Sequence, residues 1–270
     1  MTILKGKVNC RQLPAVLHTA LTTEGFTEIS SEITNDGRVY RSPSVNGEDL
    51  FFIQIKELKA ASLQVAVYEK YTPNPVNGMP GTFLNGVTGS NAIAWNNTSL
   101  IDRLDVNYII NVNKRRMIVY VEGLRAEVGN VSSLLYIGIP QRISDKDNAG
   151  TFAGIAASTY APVNSDIGGF SALRNRANAT AFMYNLDFYM PKRSYGWGKK
   201  MFFSPVFIGN KIEGNRGILD GIHIIEKVDK AAEMSAGDTF TQDGKNYMLV
   251  SMPAYGNATL PATYDYLIEI

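Results

Sequence analysis

The hydrophobic period of the chain changes once, at Phe26, and this change constrains the fold more than any other feature. Residues 9–25 repeat apolar side chains at helical spacing, with Asn9 as a candidate cap, Pro14 near the first turn and Gly25 as the terminator. From Phe26 onward the period is two and turn residues recur. The sequence therefore predicts one N-terminal amphipathic helix followed by a β-rich body. The apolar face of the helix consists of Leu13, Val16, Leu17, Ala20 and Leu21.

Turn dipeptides predict that the strands are joined as antiparallel hairpins. Asp36-Gly37, Asn46-Gly47 and Asp243-Gly244 each supply the pair of residues that tolerates positive φ in a tight turn. A further hairpin is predicted around residues 113–115, because apolar runs flank them on both sides. Its two strands, with residues 134–137, are expected to form the central sheet. Later strand candidates are residues 201–203, 206–208, 222–225, 247–250 and 264–270.

These patterns predict a mainly β fold, an antiparallel β-sandwich or barrel-like body with one N-terminal helix and long protruding loops. Two stretches rich in glycine, proline or small residues, 72–97 and 140–169, are predicted to leave the body as long loops. The predicted domains are an N-terminal helix plus β lobe over 1–140, a loop or linker over 141–169 and a C-terminal β lobe over 170–270, unless 1–270 forms one continuous domain.

Composition restricts the partners of the chain. The net charge is +1 with 19% charged residues, so no overall field attracts the chain to DNA or to an anionic membrane. No apolar run has the length of a membrane span, and the first residues lack the apolar run of a signal peptide. Cys10 is the only cysteine, which fits a reducing compartment. We therefore expect synthesis in a cytoplasm, no export and no membrane partner.

Residues able to carry catalysis or bind a metal are sparse. The only histidines are His18, on the polar flank of the helix, and His223, in an apolar strand where a structural role is the usual one. No G-x-S-x-G motif is present. Asp145 begins a stretch that resembles a calcium loop, but Ala149 and Ala156 stand where side-chain oxygens are required. We predict that the chain is not an enzyme and has no catalytic, cofactor or metal site.

Aromatic residues alternate with lysine and arginine over residues 182–207, as they do in grooves for single-stranded nucleic acid. Protein interfaces favour the same side chains, and Pro191 and Gly196 make the tip of the segment a loop, so we interpret it first as a protein contact surface. Glycan binding by Tyr195 and Trp197 is a further hypothesis. The predicted interface residues are Met79, Phe83, Trp95, Phe152, Tyr160, Tyr195, Trp197, Lys199 and Lys200.

Several stretches of the chain resemble virion structural proteins of tailed, contractile-tail bacteriophages. They are RVYRSPSVNGEDLFFIQIKEL, NYIINVNKRRMIVYVEG, MFFSPVFIGNK, ILDGIHIIEKV and DGKNYMLVSMPAYG with YDYLIEI. The pair Arg115 and Arg116 matches an arginine pattern of the central hairpin in that group. The group carries no catalytic residues, so none is transferred to this chain.

The resemblance implies a ring-forming structural subunit in the neck, collar or tail of a phage virion, made in the cytoplasm of the bacterial host. Its implied partners are copies of itself and other virion proteins, with DNA contact only if it lines the channel and no small-molecule substrate. Two alternatives remain open, a receptor- or glycan-binding baseplate module and a virion-associated hydrolase. A hydrolase requires paired carboxylates, for which Asp102 with Asp105 and Glu226 with Asp229 are candidates.

Overall fold

A computed structural model describes fourteen ranges of the chain. Within them, α1 (Leu13–Thr23) follows a 3-10 turn (Cys10–Gln12). Contacts between Cα atoms divide the chain into two units, the first Met1–Pro140 with Lys146–Met183 and the second Gln141–Asp145 with Tyr184–Ile270. The described residues are 1–30, 37–43, 50–58, 62–76, 79–94, 105–125, 129–142, 152–158, 170–173, 181–183, 204–210, 214–226, 235–250 and 264–270.

The strands form three sheets in which every described pairing is antiparallel. In chain order the strands are β1 Thr2–Asn9, β2 Thr27–Glu28, β3 Arg38–Arg41, β4 Phe52–Leu58, β5 Ser62–Thr72, β6 Thr82–Ala94, β7 Asp105–Asn113, β8 Arg116–Arg125, β9 Gly129–Gly138, β10 Gln141–Arg142, β11 Phe152–Ser158, β12 Phe170–Leu173, β13 Ala181–Met183, β14 Ser204–Asn210, β15 Gly214–Glu226, β16 Thr239–Gln242, β17 Lys245–Val250 and β18 Tyr264–Glu269.

The first unit holds two of these sheets. The first sheet has the order β1-β7-β8-β9-β11-β12-β13, and the second has the order β2-β3-β4-β5-β6. The third sheet, β10-β15-β18-β17-β16 with β14 paired to β15, belongs to the second unit. The prediction of a mainly β, antiparallel fold with one N-terminal helix is therefore confirmed. The prediction offered a sandwich or a barrel-like body, and the first unit is a sandwich. The described strands do not form a closed barrel.

Asn9 and Gly25, the predicted cap and terminator, flank the 3-10 turn and α1, although α1 itself begins only at Leu13. Asn9 is extended, and its Oδ1 accepts the N–H of Arg11 at 3.1 Å, which satisfies a donor that the first turn leaves open. Pro14 lies in the first turn, where its missing N–H costs nothing. Gly25 has φ 92°, and the next residue, Phe26, donates its N–H to Leu21 O at 3.0 Å. This left-handed glycine ends the helix without the steric cost of a Cβ.

One apolar core joins α1 to the inward faces of the first and second sheets. Burying a sheet face requires a second layer, and here each sheet covers the other while α1 packs against both. The buried members of this core include Leu13, Leu17 and Leu21 from α1, Tyr40, Ile53, Ile55, Leu63, Val65 and Val67 from the second sheet, and Val106, Ile110, Val112, Met117, Val119, Val121, Leu135 and Ile137 from the first sheet.

The strands β8 and β9 are buried on both faces. Ile118 and Tyr120 of β8 point away from the core of the sandwich yet are almost inaccessible, as are Leu134 and Tyr136 of β9. Strands buried on two sides have continuous apolar runs instead of alternating ones, and the runs MIVYV and LLYI have this character. The prediction that these runs form the central sheet is confirmed, since β7, β8 and β9 are neighbours within the first sheet.

A strand that the sequence analysis did not predict opens the chain. β1 pairs with β7 from Thr2 opposite Val112 to Asn9 opposite Asp105. Leu4 and Val8 pack against the core of the first unit, whereas Lys5 and Lys7 are exposed. Apolar and charged residues alternate along β1 in the sequence, but the alternating stretch is too short to predict a strand.

Both predicted long loops contain strands. β6 pairs with β5 from Thr82 opposite Thr72 to Ala94 opposite Ser62, so the loop predicted over residues 72–97 is reduced to a β5–β6 loop of residues 73–81. Within residues 140–169, β11 pairs with β9. Strand pairing overrides the low β propensity of glycine and asparagine in β6, because neighbouring strands supply the hydrogen bonds.

The hairpin predicted at Asp243-Gly244 is confirmed. Both residues have positive φ, 52° and 77°, and they connect β16 to β17. The predicted hairpin around residues 113–115 joins β7 to β8, and Asn113 Oδ1 accepts the N–H of Arg115 at 2.8 Å.

Asp36, Asn46 and Gly47 of the other predicted hairpins lie outside the described residues, although β2–β3 and β3–β4 are antiparallel pairs. The candidates 206–208, 222–225, 247–250 and 264–270 fall in or extend β14, β15, β17 and β18, and 201–203 lies outside the described residues.

A charged residue on the buried face of α1 tests whether the helix and the two sheets share one core. Leu17 is completely buried between the helix and the sheets, so Leu17→Asp buries a carboxylate without a counterion. We expect a loss of at least about 3 kcal/mol in the free energy of unfolding, measured by urea denaturation, or an insoluble chain. The control is Thr19→Asp, which puts the same charge on the exposed side of α1. Equal stability of the two variants contradicts the packing of this helix.

Candidate interaction surface

The β5–β6 loop exposes two apolar side chains, those of Val76 and Met79, which are close together in the sequence. Val76 is 56% exposed and Met79 is 52% exposed. Among the described residues, only Met1 and Leu50 are other large apolar residues with comparable exposure. Residues 77 and 78, between the two, lie outside the described part of the chain. These two side chains make the loop the candidate interaction surface of the described residues.

Asn74 fixes the backbone of the β5–β6 loop. Its Oδ1 accepts the N–H of Val76 at 3.0 Å, and its Nδ2 donates to Pro80 O at 3.3 Å. The N–H of Met79 donates to Val76 O at 3.1 Å. Pro73, like the other two prolines of the loop, restricts φ and lowers the entropy that the loop loses when it becomes ordered. These hydrogen bonds join Asn74 and Val76 to Met79 and Pro80 across the described part of the loop.

The base of the loop is anchored by stacked aromatic rings on the second sheet. The ring centroid of Phe83 lies 4.4 Å from that of Tyr68 and 4.7 Å from that of Tyr71. These rings pack with Val39 and Phe52 in a cluster separate from the main core. A Cβ at Gly81 would lie 2.5 Å from the ring of Tyr71, so only glycine allows the chain to turn this closely over it.

The predicted interface residues have different positions. Met79 is exposed on the loop, whereas Phe83 is partly buried in the aromatic stack at its base. Phe152 is the first residue of β11, and its side chain is outside the described part of the structure. Trp95, Tyr160, Tyr195, Trp197, Lys199 and Lys200 also lie outside the described residues. The structure adds Val76, which the sequence analysis missed because an apolar residue between prolines gives no indication of its exposure.

His18 connects α1 to the second sheet. Its Nδ1 lies 3.0 Å from Tyr40 Oη and 3.3 Å from Glu28 Oε2. Burial raises the pKa of Tyr40 to about 12, so its phenol keeps its proton near pH 7. Arg38 also forms a hydrogen bond with Tyr40, and its Nε lies 4.0 Å from Glu28 Oε1. These contacts give His18 a structural role in joining helix and sheet.

His223 lies within β15, as predicted, with its ring centroid 5.4 Å from that of Tyr247. Burial, with a smaller contribution from Lys245, lowers the pKa of His223 to about 4. The imidazole is therefore neutral near pH 7. In the part of the chain that the structure describes, no three His, Cys, Asp or Glu side chains come together as a metal site would require.

Arg116, one of the two arginines of the central hairpin, is buried inside the first unit. Its side chain is 2% exposed, and its Nη1 donates to Asn111 Oδ1 at 2.7 Å and to Asn111 O at 3.3 Å. The other arginine, Arg115, donates through Nη2 to Pro140 O at 3.5 Å. Both arginines thus stabilise the chain around the β7–β8 hairpin.

Comparisons with protein-family models, with curated proteins and with solved structures found no match to this chain. No helix within the described ranges has the length and apolar character needed to cross a membrane. The candidate surface is therefore defined by its own geometry, an apolar loop held by Asn74 above an aromatic base.

Removing the side chain of Asn74 tests whether the loop is held in shape. Asn74→Ala removes both side-chain hydrogen bonds, so we expect the amides of Val76 and Met79 to exchange hydrogen at least about ten-fold faster, equivalent to roughly 1.4 kcal/mol. The strands β7 to β9 should exchange at unchanged rates. The measurement is hydrogen exchange followed by NMR.

Asn74→Asp serves as the matched variant. Aspartate retains an oxygen that accepts the Val76 N–H but loses the donor to Pro80 O. Its exchange rates should lie between those of the parent and of Asn74→Ala. Unchanged exchange in both variants contradicts the role of Asn74.

The lowered pKa of His223 makes the second unit sensitive to acid. Between pH 6.5 and about 4 the unfolded chain binds a proton at this residue and the folded chain does not, so stability falls as the pH falls. We expect a loss of up to about 1.4 kcal/mol per pH unit in this window, measured by amide exchange in β15 and β17. His223→Gln should abolish this dependence of the free energy of unfolding on pH, and His18→Gln should leave it unchanged. Identical slopes in the parent and in His223→Gln contradict the assignment.

Proposed function

We propose that this chain is a non-enzymatic structural subunit of a tailed-bacteriophage virion, placed in the neck, collar or tail. It forms a ring with copies of itself and contacts other virion proteins. The β5–β6 loop is one of the surfaces through which it binds its neighbours. The chain is made in the host cytoplasm and resides in the particle.

The observation that carries this proposal is the fixed, exposed apolar loop. Val76 and Met79 each leave more than half of their surface in water, on a backbone that Asn74 has already ordered. Burying such side chains against a partner is worth about 25 cal/mol per Å² of apolar area, and an ordered loop loses little entropy on binding. Both properties favour stable assembly with another protein.

The resemblance to virion structural proteins supports the same conclusion from the sequence. The stretches that carry it coincide with strands, since RVYR is β3, IINVNKRRMIVYVEG spans β7 and β8, and GILDGIHIIE lies in β15. Of the arginines in the second stretch, Arg116 binds Asn111 of the hairpin and Arg115 binds the main-chain oxygen of Pro140, beyond β9. What the chain shares with that group is therefore the residues that build its sheets, as expected of a structural subunit.

The experiment compares assembly of the full chain with that of a variant carrying Val76→Ser and Met79→Ser. Both positions are exposed, so the fold should survive, and urea denaturation should confirm an unchanged free energy of unfolding. We expect native mass spectrometry and electron microscopy to show rings for the parent and a loss of at least about ten-fold in assembly for the variant. The control is Leu50→Ser, which removes an exposed apolar side chain outside the loop.

The virion assignment has its own test, mass spectrometry of purified particles of the phage that encodes the chain. We expect the chain in a fixed copy number per particle. Its absence from the particle contradicts the proposal, as does assembly that is equal in the loop variant and the parent.

A further inference from the structure

The outer edge of β1 is an unusually long and regular sheet edge. All eight residues of β1 pair consecutively with β7, without a register shift. Four other described sheet ends are short, with two residues in β2, two in β10, three in β13 and four in β16. β14, which pairs only with β15, has two register shifts, and β6 packs against strands of the first sheet. Proteins usually protect edges by shortness, bulges, cover or charged side chains, especially lysine. β1 has neither the shortness nor the bulge, and its only charged side chains, Lys5 and Lys7, oppose pairing with a positively charged strand but not with an acidic one.

The middle of this edge is open to solvent. Lys5, Gly6 and Lys7 are all exposed. Since glycine has no side chain, the exposure of Gly6 is exposure of its backbone. In an antiparallel edge strand, every second residue directs its N–H and C=O away from the sheet. These groups are therefore available to pair with another strand.

Contacts at both ends and in the middle hold β1 straight. At the start, Glu24 Oε1 lies 3.1 Å from the Met1 ammonium and Oε2 accepts from Thr2 Oγ1 at 2.9 Å. At the end, Asn9 caps the turn that leads into α1. In the middle, a Cβ on Gly6 would lie 2.8 Å from Tyr108 Oη, so glycine lets that tyrosine lie over the strand. A strand fixed in this way loses little entropy when a partner adds to it.

The charges of β1 select the partner. Lys5 and Lys7 alternate along the strand and so lie on the same face of the sheet, where Lys7 Nζ is 3.3 Å from Asp105 Oδ2. If β1 of a second copy paired here about a two-fold axis, lysines would face lysines, and like charges across strands are destabilising. A strand with carboxylates on this face is favoured instead.

We propose that β1 is a strand-addition site, which binds an extended segment of a partner protein with Asp or Glu at alternate positions facing Lys5 and Lys7. Main-chain hydrogen bonds supply the affinity, and the two lysines supply the selectivity. This site is separate from the β5–β6 loop and does not depend on the virion assignment.

Two capped ten-residue peptides test the site, one alternating glutamate with valine and the other alternating lysine with valine. Each is titrated into the full chain at low salt and followed by NMR. We expect the glutamate peptide to shift and protect the amides of residues 4–8 and to bind at least about ten-fold more tightly than the lysine peptide.

Charge reversal in the chain provides the matched control. Lys5→Glu should weaken binding of the glutamate peptide about five-fold, and Lys70→Glu, a change of equal charge at an exposed position of β5, should leave it unchanged. The variant with Val76→Ser and Met79→Ser should bind like the parent, so this proposal and the proposed function fail separately.

Three outcomes overturn the proposal. In the first, neither peptide protects the amides of β1. In the second, Lys5→Glu and Lys70→Glu weaken binding equally, which indicates a nonspecific effect of net charge. In the third, the chain associates with itself through β1 and Lys5→Glu strengthens that association, which identifies a second copy as the occupant.

Discussion

Burial of two sheet faces and one helix face in a single apolar core is the constraint on which the first unit depends. α1 alone is too short to be stable in water, and each sheet alone would expose one apolar face. Packed together, the helix supplies Leu17 and Leu21 to a core that also contains Val65 and Val119. The register of β1 follows from the same core, because a slip by one residue would turn Leu4 and Val8 outward and lysines inward.

The sequence predicted the parts of the fold that local interactions determine. The cap at Asn9, the left-handed Gly25 and the positive-φ pair at Asp243-Gly244 each act within a few residues, and all three are present in the structure. β1 was missed because its partner β7 lies about a hundred residues away and because Lys-Gly-Lys interrupts its apolar pattern. The whole of β6 was assigned to a loop because its glycines have low β propensity, which pairing with β5 overrides.

The candidate surface was predictable only in part. Met79 was identified from its residue type in a proline-rich stretch, but the fixed shape of the loop depends on Asn74 reaching Pro80 across the turn. Phe83 was predicted as an interface residue on the same grounds, and the structure places it in a stack with Tyr68 and Tyr71. Residue type alone cannot distinguish an aromatic ring that supports a loop from one that faces a partner.

The two surfaces of the first unit offer different chemistry to a partner. The β5–β6 loop presents Val76 and Met79, whose burial is insensitive to moderate salt. The edge of β1 presents main-chain groups beside Lys5 and Lys7, whose attraction to carboxylates is screened by salt. The two proposals thus differ in salt dependence: binding through the apolar loop should persist at moderate salt, whereas binding at β1 should weaken.

Hydrogen exchange of the full chain, free and in the assembled particle, tests the central claim that the β5–β6 loop is a contact surface built on a rigid body. We expect assembly to slow exchange at Val76 and Met79, while the amides of β7 to β9 are equally protected in both states. Equal protection of Val76 and Met79 in the free and assembled chain would contradict it, since the loop would then pack only against its own chain.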